Sequence, residues 1–116
     1  MNTAGNHRIC HFSADGALLA TFGESGRQPG AFRFPYGLDW LSDGSLVICE
    51  YGSNRLQRFL TAGELLGTWG NAGRKIGELA YPWEVVVGRD ERVYIVDSGN
   101  NRVQSFVADG SAWRGP

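Results

Sequence analysis

Short apolar runs alternate with glycine-rich turns along the chain, and the runs return in a fixed order. Phe34 to Leu41 and Tyr81 to Val87 each open on an aromatic residue followed by proline, which suits the first residue of a strand. Leu46-Val47-Ile48-Cys49 and Val93-Tyr94-Ile95-Val96 are continuous apolar runs and predict second strands covered on both faces. Arg55 to Phe59 and Arg102 to Phe106 mix polar with apolar positions and predict third strands, farther from the centre. Leu65 to Gly70 and its upstream counterpart, Leu18 to Gly23, read as fourth strands entered through turns at Gly63 and Gly16.

The order is periodic. Gly52-Ser53-Asn54-Arg55-Leu56-Gln57-Arg58-Phe59 returns as Gly99-Asn100-Asn101-Arg102-Val103-Gln104-Ser105-Phe106, and Gly5-Asn6-His7-Arg8-Ile9-Cys10-His11-Phe12 is an earlier copy. Arg8, Arg55 and Arg102 set a period of 47 residues (55 − 8 and 102 − 55). A unit of this kind cannot bury its apolar face alone and needs neighbours. Turn signals such as Asp15-Gly16, Asp43-Gly44 and Asp109-Gly110 come too often for long helices, and β-branched and aromatic residues fill the gaps. Four antiparallel strands repeated at this length predict an all-β fold of β-propeller blades, with a flat solenoid as the competitor.

Composition narrows the function classes. The chain has 116 residues, 42% hydrophobic and 20% charged, and its 17 glycines against 4 prolines suit many tight turns. A formal charge of −1 gives no global attraction to nucleic acid or an anionic membrane, so such binding needs a local patch. No stretch approaches the roughly 20 apolar residues of a membrane span, and the first residues lack a signal-peptide pattern. No membrane partner is expected, and a cytoplasmic location is the default. Cys10 and Cys49, without CxxC spacing, read as free thiols, with Cys49 a small core residue.

The run Pro35-Tyr36-Gly37-Leu38-Asp39, Asp43-Gly44-Ser45-Leu46-Val47-Ile48, Gly52 to Phe59 and Thr68-Trp69-Gly70 resembles an NHL repeat, and Val93 to Phe106 is similar to the same family's strand-turn-strand signature. The resemblance covers nearly the whole chain. It implies a propeller, typically of about six blades, that binds proteins or RNA; some relatives are lyases. Glu50 and Asp97, each ending a second strand, are expected to bond their turns or pair with Arg55 and Arg102 as fasteners of the fold rather than as a catalytic dyad. Trp40, Trp69, Trp83 and Trp113 recur at strand positions and are expected to pack blades rather than stack on bases.

The repeats stop out of phase. Residues 1–23 read as a partial blade with third and fourth strands, 24–70 as a complete NHL-type blade, and 71–116 as an incomplete blade whose fourth strand, Ala112 to Pro116, is degraded. About two and a half repeats do not close a ring. The expected partner is therefore the chain itself: Leu18 to Phe22 of one subunit completes the last blade of the next by strand exchange. Candidate oligomer contacts are Leu18, Leu19, Thr21, Phe22, Val103 and Phe106. Two periods span 94 residues, so three copies supply six blades with 22 residues of overlap per chain (116 − 94). A dimer is the nearest competitor, and a piece of a longer propeller is the alternative. Two third strands, Arg8 to Phe12 and Arg102 to Phe106, then compete for one place.

The loops joining fourth to first and second to third strands share one face, which receives Arg27, Arg33, Arg74 and Lys75 against Glu24 and Glu78. The opposite face receives Asp15, Asp43, Glu64, Asp90, Glu91 and Asp109 against Arg89 and Arg92. With Phe34, Tyr36 and Trp83 nearby, the basic face is the candidate binding surface, for an unidentified protein or for RNA phosphates and bases. His7 and His11 do not recur, and no nucleophile elbow, phosphate loop or HExxH motif is present. Asp39 and Glu84 on inner strands are read as solvated channel residues. The expectation is a non-enzymatic interaction module without a cofactor, with RNA binding and a metal-assisted lyase as alternatives.

Overall fold

The computed structural model describes residues 2–3, 8–26 and 28–107. Arg27, His7, Asp109, Trp113 and the Ala112 to Pro116 strand therefore lie outside the described residues. Twelve strands follow in order: β1 (Asn2–Thr3), β2 (Arg8–Phe12), β3 (Leu18–Phe22), β4 (Pro35–Trp40), β5 (Leu46–Glu50), β6 (Arg55–Phe59), β7 (Leu65–Trp69), β8 (Asn71–Ala72), β9 (Glu78–Leu79), β10 (Pro82–Val87), β11 (Arg92–Asp97) and β12 (Arg102–Val107). They form sheets β1-β2-β3, β4-β5-β6-β7 and β10-β11-β12, all antiparallel, with β8 and β9 a short parallel pair. The all-β architecture is that of propeller blades, one four-stranded and two three-stranded.

The first strands begin one residue later than the pattern suggested. Phe34 and Tyr81 adopt left-handed φ of 53° and 50°, and the following proline opens the strand. Proline restricts the residue before it, so this backbone stands only where its surroundings enforce it.

Blade packing follows strand alternation. On β5, Leu46 and Ile48 join Ile9, Phe32 and Phe59 in a core towards the first sheet, while Val47 and Cys49 join Val85, Val93 and Ile95 in a core towards the third. Every β5 residue is buried, as a strand between two blades requires. Each fully buried large side chain contributes roughly 1.5–3 kcal/mol. β11 departs from that expectation: Val93 and Ile95 are buried, but Tyr94 is 40% and Val96 38% exposed. Among the described residues no further blade covers that face.

Aromatic residues lock the outer strands. Trp69 stacks on Phe106 with ring centroids 4.4 Å apart, and Phe22 lies 5.0 Å from Phe59 at the equivalent place one period earlier. Asp39 accepts from Val87 N at 2.7 Å and Glu91 from Ser42 N at 3.1 Å, joining the first strands and the turns that follow them in the second and third blades.

Candidate binding face

The repeated motif assembles a clamp. Glu50 accepts from Arg55 Nε at 2.6 Å, from Gln57 Nε2 at 2.7 Å and from Arg33 N at 3.1 Å. Arg55 donates onward to the carbonyls of Gln28 and Ala31 at 3.0 and 2.9 Å, and Gln57 donates to Ala31 O at 2.8 Å. One period later the set repeats: Asp97 accepts from Arg102 Nε and Ala80 N, both at 2.7 Å, and Arg102 reaches Lys75 O and Glu78 O. Each clamp grips the loop that enters its own blade from the preceding one. The clamp thereby fixes where residues 28–34 and 75–81 enter the blade.

The two carboxylates differ in titration. Burial between two blades pushes the Glu50 carboxyl above its ordinary value despite its Arg55 partner. Burial opposes ionisation of Asp97 as well, but hydrogen bonds from Ala80, Asn100, Arg102 and Gln104 outweigh it and hold its pKa down. Both are structural groups at the base of the face.

Above them the entering loops and the turns after β5 and β11 bring aromatic rings together. Tyr51 N and Gly52 N donate to Phe34 O and Arg33 O, both at 3.0 Å, and Gly99 N donates to Ala80 O at 2.8 Å. Ser98 Oγ donates to Tyr81 O, and Asn54 of the second blade accepts from Tyr81 N at 2.7 Å. These bonds hold the two left-handed residues. Tyr36 stands 5.0 Å from Trp83 and 5.3 Å from Tyr51, Phe34 6.1 Å from Tyr36, and Tyr81 5.2 Å from Tyr51. Gly37 permits this approach: a Cβ there would lie 3.0 Å from both Glu84 Cα and Val85 N.

The structure thus brings Phe34, Tyr36 and Trp83 into one patch, and adds Tyr51 and Tyr81. Tyr81 and Trp83 are the most open of the five, each 55% exposed. The recurrence of Phe34 as Tyr81 and of Tyr36 as Trp83 signals the patch; Tyr51, whose equivalent is Ser98, carries no such signal. Of the tryptophans, Trp69 packs between blades, whereas Trp83 and Trp40 are exposed.

Arg33, Arg74 and Lys75 lie on the loops of this face and make no ion pair among the described residues. Arg74 and Lys75 sit over the third strand, since Lys75 O accepts from Arg102, and so stand outward of the aromatic patch. Leu18, Leu19, Thr21 and Val103 are exposed, but Phe22 and Phe106 pack inside the inter-blade cores. Asp39 also accepts from Trp40 N at 2.8 Å, and Glu84 accepts from Val85 N at 3.0 Å, so backbone amides engage both inner-strand carboxylates. Among the described residues no group of three or more His, Cys, Asp or Glu side chains is placed to hold a metal ion. Cys10 and Cys49 are buried and unbridged.

Residues 79–106 match the family model of the NHL repeat. No curated protein matches the chain. Among solved structures, a catalytically inactive virginiamycin B lyase from Staphylococcus aureus with quinupristin is similar in fold, with a TM-score of 0.63 at 18% identity. The match covers 94% of this chain and 38% of that one, so the chain spans less than two fifths of its length. The fold is that of a propeller segment.

Proposed function

We propose that this chain is a non-enzymatic β-propeller interaction module that completes its ring with further copies of itself and binds a macromolecule through the aromatic face. The observation that carries the binding reading is the five-ring patch. Two of its members are held in left-handed backbone, whose cost of about 1–3 kcal/mol per residue persists at sites under functional constraint. A purely structural cluster of this size would bury its rings, yet Tyr81 and Trp83 stay open, inward of loop cations that make no ion pair among the described residues.

Ring completion rests on the uncovered faces of the outer blades, with three copies favoured over two. Leu18, Leu19, Thr21 and Val103 are available for strand exchange, while Phe22 and Phe106 hold the strands involved. Light scattering on a size-exclusion column tests this: a stable monomer with native β-sheet signal overturns it.

RNA is the second reading, favoured by the exposed rings within a rim of Arg33, Arg74 and Lys75. Stacking contributes roughly 1–3 kcal/mol per base. Fluorescence anisotropy with single-stranded RNA should then show affinity that falls with salt and is lost in Trp83→Ala. Salt-insensitive binding of protein alone favours a protein partner. The structural neighbour is a lyase, which raises a third reading; metal titration of the purified protein tests it, and stoichiometric uptake would support it.

A further inference from the structure

The interface between the second and third blades has two halves, and each is repeated elsewhere on the molecule without its counterpart. In the interface itself, Val47 and Cys49 pack in one core with Val85 and Val93. One period after Val47 and Cys49 stand Tyr94 and Val96, both exposed. One period before Val85 and Val93 stand Leu38 and Leu46, which with Trp40 line a small apolar cavity beside the first sheet. The described part of that sheet supplies third and fourth strands, β2 and β3, and only two residues, Asn2 and Thr3, at the second-strand place, so among the described residues no inner-strand side chain at the places of Tyr94 and Val96 faces the cavity.

Resting on the ring-completion reading above, we infer that a second copy of this chain supplies them. β10, β11 and β12 of one copy take the first three places of the blade that precedes β4 in the next. Tyr94 and Val96 enter the cavity at Leu38, Trp40 and Leu46, and β12 replaces β2 alongside β3. The occupant follows from continuity with an interface the molecule already makes: the exposed residues are the period equivalents of the buried ones.

The clamps decide which third strand yields. β12 is tied to its own blade by Arg102 and Gln104 on Asp97, and Phe106 stacks on Trp69 of its own chain. At the equivalent positions β1 and β2 carry Thr3 and Cys10, which supply neither the carboxylate nor the glutamine. β3 stays, because Phe22 packs on Phe32 and Phe59 of its own chain. Its pairing is preserved: Cys10 opposite Thr21 and His11 opposite Ala20 give way to Gln104 and Ser105 from the other copy.

Two variants test this, Ser105→Cys and Ala20→Cys, mixed and oxidised gently, with disulfides mapped by mass spectrometry. Opposed residues of an antiparallel pair lie within disulfide reach, about 4.5–5.5 Å between Cα atoms. The expected product links position 105 of one chain to position 20 of another. In parallel, Val96→Asp, at an exposed site, should raise the dissociation constant of the assembly about tenfold or more while the circular dichroism spectrum is kept. An oligomer that forms no 105–20 link and ignores Val96→Asp overturns this inference and leaves ring completion standing. A monomer at every concentration overturns both, and is the outcome expected if blades of a longer chain cover these faces.

Discussion

Arg55 Nε lies 2.6 Å from Glu50 Oε2, and the carboxylate it meets is wholly buried. Removing such a partner leaves an uncompensated charge between two blades, at a cost of about 3–5 kcal/mol. Arg102 makes the same contact with Asp97, but its side chain is 29% exposed against 12% for Arg55. Arg55→Met is therefore expected to cost more than Arg102→Met in urea unfolding. Equal losses would show that the position between two blades does not matter.

The two clamp carboxylates should give opposite pH signatures. Asp97 binds its proton less tightly folded than unfolded, so its contribution is complete above the ordinary Asp value of about 3.9 and is lost as pH falls through the lowered folded value. Glu50 has a raised folded value, so its contribution is present below the ordinary Glu value of about 4.3 and fades as pH rises through the folded one. Measured against wild type, Asp97→Asn should lose its stability deficit below about pH 4, whereas Glu50→Gln should gain relative stability as pH rises from about 4.

Cys49 is fully buried, and burial, then Glu84, then Glu50 push its thiol far above the usual range. Alkylation at pH 8 should leave Cys49 unmodified in the folded protein and modify it in urea, as read by peptide mass. Rapid native modification would show that the second and third blades open readily.

Gly99 should not tolerate a side chain. A Cβ there would sit 2.6 Å from Ala80 O, a backbone atom in the loop that presents Tyr81 and Trp83. Gly99→Ala is expected to cost about 1–3 kcal/mol in chemical denaturation and to disturb the aromatic face. Gly44→Ala is the control for strain alone, since its φ of 88° is strained but no atom crowds the Cβ position.

Strand order, blade packing of Trp69 and the Glu50–Arg55 and Asp97–Arg102 pairs were legible because the period puts the same residue type in the same place. The ring patch was legible only in part. Phe34, Tyr36 and Trp83 lie near one another in the repeat, but Tyr51 is not repeated and Tyr81 joins through a left-handed backbone that residue type disfavours. The exposed Tyr94 and Val96 were hidden for a different reason. A continuous apolar run signals that a strand can be covered on both faces, whereas actual cover depends on which neighbours are present.

The two clamps point one way: the second and third blades each grip the loop arriving from the blade before. Under force this makes the described chain asymmetric. Tension applied at β2 peels β2 and β3 from their neighbour against the apolar core at Ile9 and Phe22, where the described residues place no clamp, up to the loop held by Arg55. Tension applied at β12 meets the Asp97–Arg102 pair at once. An optical-trap experiment should therefore find a soft handle at the amino-terminal side and a stiff one at the other, a mechanical polarity in a fold whose units are otherwise alike.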